Sequence, residues 1–131
     1  MLKLSKKWWY ALKAILYIAE NKNKLIKILD LSKNLDISES LLRRIISDLE
    51  KSWIVITIKG RIWWVKIWKE LNNISIYDIL YSVWEELWIT DCAKWLFCEN
   101  IENCNTTILF SNLQKSFNGI LKLQTLDKII K

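Results

Sequence analysis

The chain has 131 residues, of which 52% are apolar and 26% are charged, and its formal net charge is +6. This length suits one compact domain with its own core, and the balance of apolar and charged residues excludes a disordered segment and a membrane protein. The longest uncharged run, residues 103–114, is shorter than the roughly 18 apolar residues that a bilayer-spanning helix needs, so we expect a cytoplasmic protein.

Charge is divided unevenly between the two halves of the chain. Residues 1–70 contain 15 Lys and Arg against 7 Asp and Glu, a net charge of +8, whereas residues 71–131 contain 5 against 7, a net charge of −2. A basic half favours a polyanionic partner, although a lysine-rich solubilising surface explains the charge equally well. We expect one unit over residues 1–70 and a second over residues 71–131.

Three helices are predicted in the first half. Apolar residues recur at spacings of three and four over residues 8–20, and a shorter helix is predicted over residues 26–34. Ser38 can cap the free N–H groups of a third helix over residues 39–52, and Glu39 complements the positive end of its dipole. The apolar stripe of the third helix consists of Leu42, Ile45, Ile46 and Leu49.

Two β-branched segments follow the third helix. Residues 54–58 and 65–67 are short and rich in Ile and Val, which predicts two strands joined by a turn that contains Trp63 and Trp64. Three helices followed by a hairpin predict a mainly α fold with a small β-hairpin, the winged helix-turn-helix. In this architecture the third helix enters the major groove of DNA, and the hairpin, or wing, lies along the backbone or the minor groove.

The third helix presents polar side chains on the side away from its apolar stripe. Arginine pairs with guanine edges or with phosphates, although an isolated pair of arginines on a helix is more often a solvated face. The hairpin and the basic half make contact with double-stranded DNA the better interpretation. The candidate DNA-binding residues are Ser38, Ser40, Arg43, Arg44, Ser47, Lys59 and Arg61.

Helices are also predicted in the second half. Ser75 and Asp78 have the spacing of a capping box, which predicts the start of a helix that runs to about residue 87. A long helix over residues 106–123 and a short one over residues 126–130 follow. Most long terminal helices pack on their own core, but a two-fold dimer also matches the paired half-sites of helix-turn-helix proteins. The candidate dimer contacts are Leu109, Leu113, Phe117 and Ile120.

The three cysteines, Cys92, Cys98 and Cys104, have the spacing C-x5-C-x5-C. An odd number of cysteines in a cytoplasmic chain argues against a disulfide framework. Three thiols on one loop can converge on a metal centre, and thiolate ligands suit iron–sulfur clusters or zinc. Because the chain has no C-x-x-C pair, unligated thiols are an equally good interpretation.

Several segments are similar to the motifs of one known family. LSKKWWYAL at residues 4–12 is similar to the family's opening LSTKGRYAL, and ISESLL at residues 37–42 is similar to the start of its recognition helix. GRIWWVKIW at residues 60–68 is similar to its glycine-rich wing, and ISIYDI at residues 74–79 to its segment ITLGDI. The chain therefore resembles the IscR-like family of winged-helix transcription regulators over nearly its whole length.

The resemblance implies a homodimer that binds a palindromic operator. It also implies that Cys92, Cys98 and Cys104 hold an iron–sulfur cluster, [2Fe–2S] in preference to [4Fe–4S], and that the regulator senses cluster or redox status. Cluster-binding relatives often complete the site with a histidine three residues after the last cysteine, and this chain has no histidine. The fourth ligand stays open among Asp91, Glu99, Glu102, Thr107 and a small molecule.

Two alternatives to a cluster-dependent regulator remain open. One is a cluster-free regulator that senses oxidation or zinc through its thiols, and the other is a winged-helix module that binds an acidic protein partner. Anaerobic reconstitution followed by visible absorption distinguishes a cluster-dependent regulator from a cluster-free one. A salt-dependent mobility shift of a palindromic duplex would argue against the protein-binding module. An enzyme is not expected, because the chain has no histidine, no glycine-rich phosphate loop and no paired nucleophile and base.

The chain is rich in tryptophan and poor in glycine. It has 9 Trp and 2 Gly, whereas an average glycine content of about 7% would give roughly nine. The resemblance places glycine at five tryptophan positions, and two further positions follow the same pattern. The positions are Trp8, Trp53, Trp63, Trp64 and Trp68, followed by Trp88 and Trp95.

Glycine is also favoured at two of these places on physical grounds. Trp53 follows the end of the third helix, where a left-handed residue usually terminates the helix, and Trp63 and Trp64 lie in the predicted hairpin turn. We hypothesise that these codons are UGA and that the source organism reads them as glycine. Genuine aromatic anchors, or a surface on which nucleic-acid bases stack, are the alternative.

Overall fold

The computed structural model describes residues 6–83 and 105–130. Within these residues the chain forms six α-helices and one small antiparallel sheet, which confirms the winged helix-turn-helix class. None of the helices in this described part is long and apolar enough to cross a membrane. In chain order the elements are α1 Lys6–Glu20, β1 Ile26–Lys27, α2 Ile28–Leu35, α3 Glu39–Lys51, β2 Val55–Ile58, β3 Trp64–Ile67, a 3₁₀ helix Leu71–Asn73, α4 Ile76–Ser82, α5 Asn105–Leu123 and α6 Leu126–Ile129.

The helix-turn-helix is built from α1, α2 and α3 around one apolar core. α1 contributes alanine and isoleucine side chains at helical spacing, and α2 contributes Ile28 and Leu31. Each fully buried aliphatic side chain stabilises the fold by about 1.5–3 kcal/mol, so the apolar stripe of α3 fixes this helix firmly. That stripe is buried in full, as predicted, and consists of Leu42, Ile45, Ile46 and Leu49.

Both ends of α3 are defined by local backbone chemistry. The Ser38 hydroxyl accepts a hydrogen bond from the Leu41 N–H at 3.3 Å, which confirms the predicted cap. The turn before it passes through Asp36, which is left-handed with φ 54°. After α3, Trp53 has φ 61° and is also left-handed, which confirms the expected helix stop at this residue.

The sheet that includes the wing contains three strands instead of the two expected. β3 lies between β1 and β2 and is antiparallel to both, with Val65 opposite Ile26. The prediction that the second helix begins at residue 26 is therefore wrong, because the backbones of Ile26 and Lys27 pair with β3 and α2 begins only at Ile28. A strand of two residues forms only when a distant partner supplies its hydrogen bonds, and periodicity along the chain carries no such information.

The C-terminal end of the chain returns to the same core. The Ile76 N–H donates to the Gln124 carbonyl, and the Leu126 N–H donates to the Ile74 carbonyl, both at 2.9 Å. Leu126 is fully buried in the apolar cluster that α1 and α3 build. One core therefore includes residues from both the basic half, 1–70, and the acidic half, 71–131.

α4 begins with the predicted capping box. The Ser75 hydroxyl accepts from the Asp78 N–H, and the Asp78 carboxylate accepts from the Ser75 N–H, each at 3.1 Å. Among the described residues this helix ends at Ser82, and residues 84–87 of the predicted helix lie outside them.

Candidate nucleic-acid interface

The face of α3 opposite the core carries the polar side chains that were predicted to contact DNA. Ser40 and Arg44 are exposed, Ser47 is half-buried, and the capping Ser38 is exposed at the start of the helix. Among the described residues, Arg44 makes no ion pair or hydrogen bond. Its guanidinium group is therefore free to pair with a guanine edge or a phosphate.

Arg43, unlike Arg44, is half-buried and has partners within the protein. Its Nη2 donates to the Glu39 carboxylate at 2.6 Å, and its guanidinium carbon lies 5.0 Å from the centre of the Trp63 ring. Its Nε is buried without a hydrogen-bond partner. Arg43 therefore lies between the recognition helix and the wing, and its charge is already partly engaged by a carboxylate and an aromatic ring.

The wing places two further predicted residues at the tip of the hairpin. Arg61 is exposed, whereas the Lys59 Nζ lies 3.1 Å from the Glu50 carboxylate and 5.2 Å from the centre of the Trp63 ring. The four basic residues among the predicted DNA contacts thus fall into two groups. Arg44 and Arg61 are open to solvent, whereas Arg43 and Lys59 also hold the wing against α3.

The expectation that Trp63 and Trp64 occupy a tight hairpin turn is wrong. β2 ends at Ile58, which pairs with Trp64, so the connection is the five-residue loop 59–63 and Trp64 belongs to β3. Neither tryptophan has a positive φ, because a loop of this length turns the chain without a left-handed residue there. Trp64 instead packs beside the Lys27 ammonium, which lies 5.2 Å from its ring centre.

An open basic cleft extends the surface from α3 toward α1. Its lining includes Lys7, Arg44, Ser47 and Lys51, and Lys7 is also ion-paired with Asp48 at 3.2 Å. Sequence reasoning missed both lysines. Lys51 follows Arg44 by two helical turns and was recognisable from that spacing, whereas Lys7 reaches the cleft only through the packing of α1 on α3.

The predicted metal ligands Cys92, Cys98 and Cys104 lie outside the described residues, as do Asp91, Glu99 and Glu102. Thr107 belongs to α5. Within residues 6–83 and 105–130, no group of three or more His, Cys, Asp or Glu side chains is placed to hold a metal ion.

α5 carries apolar residues on two faces about a quarter-turn apart. One face packs on the core through Phe117 and Leu121. The second face is exposed, and Leu109 and Ile120 are 53% and 57% accessible to solvent. The predicted dimer contacts are therefore divided, since Phe117 packs within the chain while Leu109, Leu113 and Ile120 face outward.

A recognition helix with a buried apolar stripe and an outward arginine, followed by a wing, defines a winged helix-turn-helix DNA-binding protein. The family model described as "Rrf2: Iron-dependent Transcriptional regulator" matches residues 4–131, and the chain belongs to the Rrf2 family. It is a DNA-binding transcription regulator and not an enzyme.

Individual relatives agree with this assignment. The chain is 27% identical over 131 residues to the transcriptional regulator IscR of Vibrio atlanticus, covering 99% of this chain and 76% of that protein. Among solved structures, CymR, the global cysteine regulator of B. subtilis, has a TM-score of 0.80 at 20% identity, covering 98% of this chain and 96% of that one. IscR of T. potens has a TM-score of 0.74 at 22% identity, covering 98% and 85%. The resemblance to IscR-like regulators is confirmed.

Proposed function

We propose that the chain acts as a homodimer that binds a palindromic operator and responds to an iron–sulfur cluster, of the [2Fe–2S] type, held by Cys92, Cys98 and Cys104. In this proposal residues 1–70 read DNA, and residues 71–131 provide the cysteines and the dimer contact. The exposed second face of α5 is the observation that carries the proposal.

The exposed face of α5 supports a dimer because its apolar residues lie along one side of the helix, with Ser116 between Leu113 and Ile120. Leu109, Leu113, Ile120 and Leu123 follow one another at helical spacing on the outward side of a 19-residue helix. Single exposed apolar residues are ordinary, but a stripe of this length marks an interaction surface. A second copy of the same helix, related by a two-fold axis, covers this stripe with a complementary one.

The chemistry of the three cysteines supports a cluster. Three thiolates are a donor set that fits iron–sulfur centres, and the curated relatives include IscR regulators. When bound, the cluster supplies a link between the thiolates that is sensitive to iron and to oxidants. In this proposal Cys92, Cys98 and Cys104, with a fourth ligand, would hold the cluster.

The last of the three cysteines is adjacent in sequence to α5, the helix that carries the proposed dimer contacts. Cys104 immediately precedes Asn105, the first residue of α5. A constraint on the Cys104 thiolate therefore acts next to the start of the helix that carries the exposed stripe. In the proposed mechanism, this constraint changes how the two α3 helices are held relative to each other, and thereby changes operator affinity.

Anaerobic reconstitution with iron and sulfide tests the cluster. We expect visible charge-transfer absorption in the unaltered protein and a loss of that absorption in the Cys92→Ser, Cys98→Ser and Cys104→Ser variants. Zinc loading is the matched control, since zinc gives no visible bands. A colourless protein after reconstitution, with unchanged DNA binding, would contradict the proposal.

A further inference from the structure

Glu50 occupies a position on α3 that electrostatics disfavours. It is the next-to-last residue of the helix, where the helix dipole repels a carboxylate. It lies two helical turns after Arg43, on the side of α3 that faces the wing, and DNA phosphates repel negative charge near this surface. A carboxylate here has two electrostatic costs, and its contacts show what offsets them.

Both oxygens of the Glu50 carboxylate bind the wing. The Thr57 hydroxyl donates to Glu50 Oε1 at 2.9 Å, and the Lys59 ammonium lies 3.1 Å from Oε2. Thr57 belongs to β2 and Lys59 follows that strand directly, so the period of two along a strand puts both side chains on one side. Only 33% of the Glu50 side chain is accessible to solvent, which shields the contacts in part.

We infer that Glu50 is a positioning residue for DNA binding, which holds the wing against the recognition helix through Thr57 and Lys59. The two elements then approach the duplex as one preorganised unit, and binding does not have to order the wing afterwards. This inference rests on the DNA-binding function of the family. It does not depend on the proposed cluster or on the proposed dimer.

The inference gives a result of opposite sign from simple charge counting. Replacing Glu50 by Gln removes a negative charge beside DNA and releases Lys59, so charge alone predicts tighter binding to every duplex. A positioning role predicts weaker binding to a specific duplex, because the wing is no longer held. Affinity for a duplex of unrelated sequence stays equal or rises.

Two duplex probes of the same length separate these expectations. One is a duplex that the unaltered protein selects from a random-sequence library, and the other has a fixed, unrelated sequence. For Glu50→Gln we expect about a fivefold to tenfold loss of affinity for the selected duplex, in line with the net contribution of one typical intramolecular hydrogen bond. Equal or tighter binding of the selected duplex would overturn the inference, as would an equal loss on both probes.

Glu39→Gln is the matched control. Glu39 is also on α3 and is also ion-paired, but its partner Arg43 belongs to the same helix. This variant removes the same charge without breaking a contact to Thr57 or Lys59, and we expect it to raise affinity for both probes. A loss on the selected duplex equal to that of Glu50→Gln would overturn the assignment to Glu50.

A measurement without DNA keeps this inference separate from the function of the protein. Amide hydrogen exchange reports local opening of the hairpin, residues 55–67. We expect faster exchange there in Glu50→Gln and in Thr57→Val, no change in Thr57→Ser, and the fastest exchange when Glu50→Gln and Thr57→Val are combined, because the Gln amide oxygen can still accept from the Thr57 hydroxyl. Unchanged exchange in both single variants would overturn the inference, whatever the protein does with DNA.

Discussion

The recognition region, which is α3 with the wing, and the terminal region around α5 differ in the side chains that they leave exposed. In the first region, Glu50 and Arg43 connect helix and wing within one chain, and the outward face of α3 is polar and basic. In the second region, α5 leaves Leu109, Leu113 and Ile120 exposed. The contacts that join α3 to the wing therefore lie within a single chain, whereas the exposed apolar side chains of α5 are where the proposed dimer would form.

The largest effect is expected from breaking the terminal region. The double variant Leu113→Glu and Ile120→Glu puts two charges into the exposed stripe, and we expect the proposed dimer to separate, because unpaired charges are excluded from apolar interfaces. Light scattering after size exclusion then gives the mass of one 15.7 kDa chain in place of two.

The control for this variant is Lys115→Gln. Lys115 is exposed on α5 away from both apolar faces, and the change lowers its charge by one unit, as Leu→Glu does. We expect it to remain dimeric. If the unaltered protein at micromolar concentration has the mass of one chain, the proposed dimer is contradicted.

A smaller effect is expected from changing the outward residues of the recognition region. Arg44→Ala should reduce affinity for a selected duplex by about 1–3 kcal/mol and relax its sequence preference, since a bidentate arginine–guanine contact has this value. Lys51→Ala should weaken binding about equally across sequences and lower the salt slope by about 1. A titration of both variants at several salt concentrations checks this, and equal behaviour of the two would show that Arg44 does not read bases.

Within the recognition region, Trp53 has a left-handed backbone conformation that disfavours any residue with a side chain. A left-handed conformation costs an L-residue roughly 1–2 kcal/mol, and the Trp53 side chain is 64% exposed and repays little of this. We expect Trp53→Gly to raise the free energy of unfolding by about 1 kcal/mol. Trp68→Gly is the control, since Trp68 is similarly exposed but has no positive φ, and we expect no gain there. An equal effect of both changes in denaturant unfolding would contradict this explanation.

The identity of residue 53 in the native protein is a related prediction. If UGA codons are read as glycine in the source organism, mass spectrometry of the protein isolated from that organism should give glycine at residue 53. Tryptophan masses at residues 53, 63 and 64 would reject the hypothesis. The ring contacts of Trp63 with Arg43 and Lys59 are what the alternative, a genuine aromatic anchor, requires.

The smallest effect is expected at the start of α4, which lies between the wing and α5 in the chain. Ser75→Ala removes the hydrogen bond that the Ser75 hydroxyl accepts from the Asp78 N–H in the capping box at α4, and we expect a loss of about 1 kcal/mol in the free energy of unfolding. Ser40→Ala is the control, because Ser40 is exposed within α3 and alanine is the better helix former. Chemical denaturation of both variants checks the difference.

Local signals in the sequence were sufficient for much of the fold. The stripe of α3, its Ser38 cap and the left-handed residue after it follow from spacing and backbone chemistry within one segment. β1 was not predictable in this way, because Ile26 becomes a strand only by pairing with β3. The hairpin turn was misplaced for the same reason, since its loop length depends on how β2 and β3 pair.

The candidate site was predictable in its residue types but not in its internal contacts. Arg43 and Arg44 are adjacent in sequence, yet only the folded chain puts Arg43 against Trp63 and leaves Arg44 open. The contact of Glu50 with Lys59 likewise depends on the position of the wing. Such contacts between distant segments have no periodic signature in a single sequence.

Hydroxyl-radical footprinting of the protein on its selected duplex tests the central claim most directly. Two recognition helices in one dimer should protect two half-sites whose centres lie about 10 base pairs apart, or a multiple of this, with matching protection on both strands. A single protected patch without two-fold symmetry, or no protection at saturating protein, would contradict a dimeric regulator that reads DNA through α3.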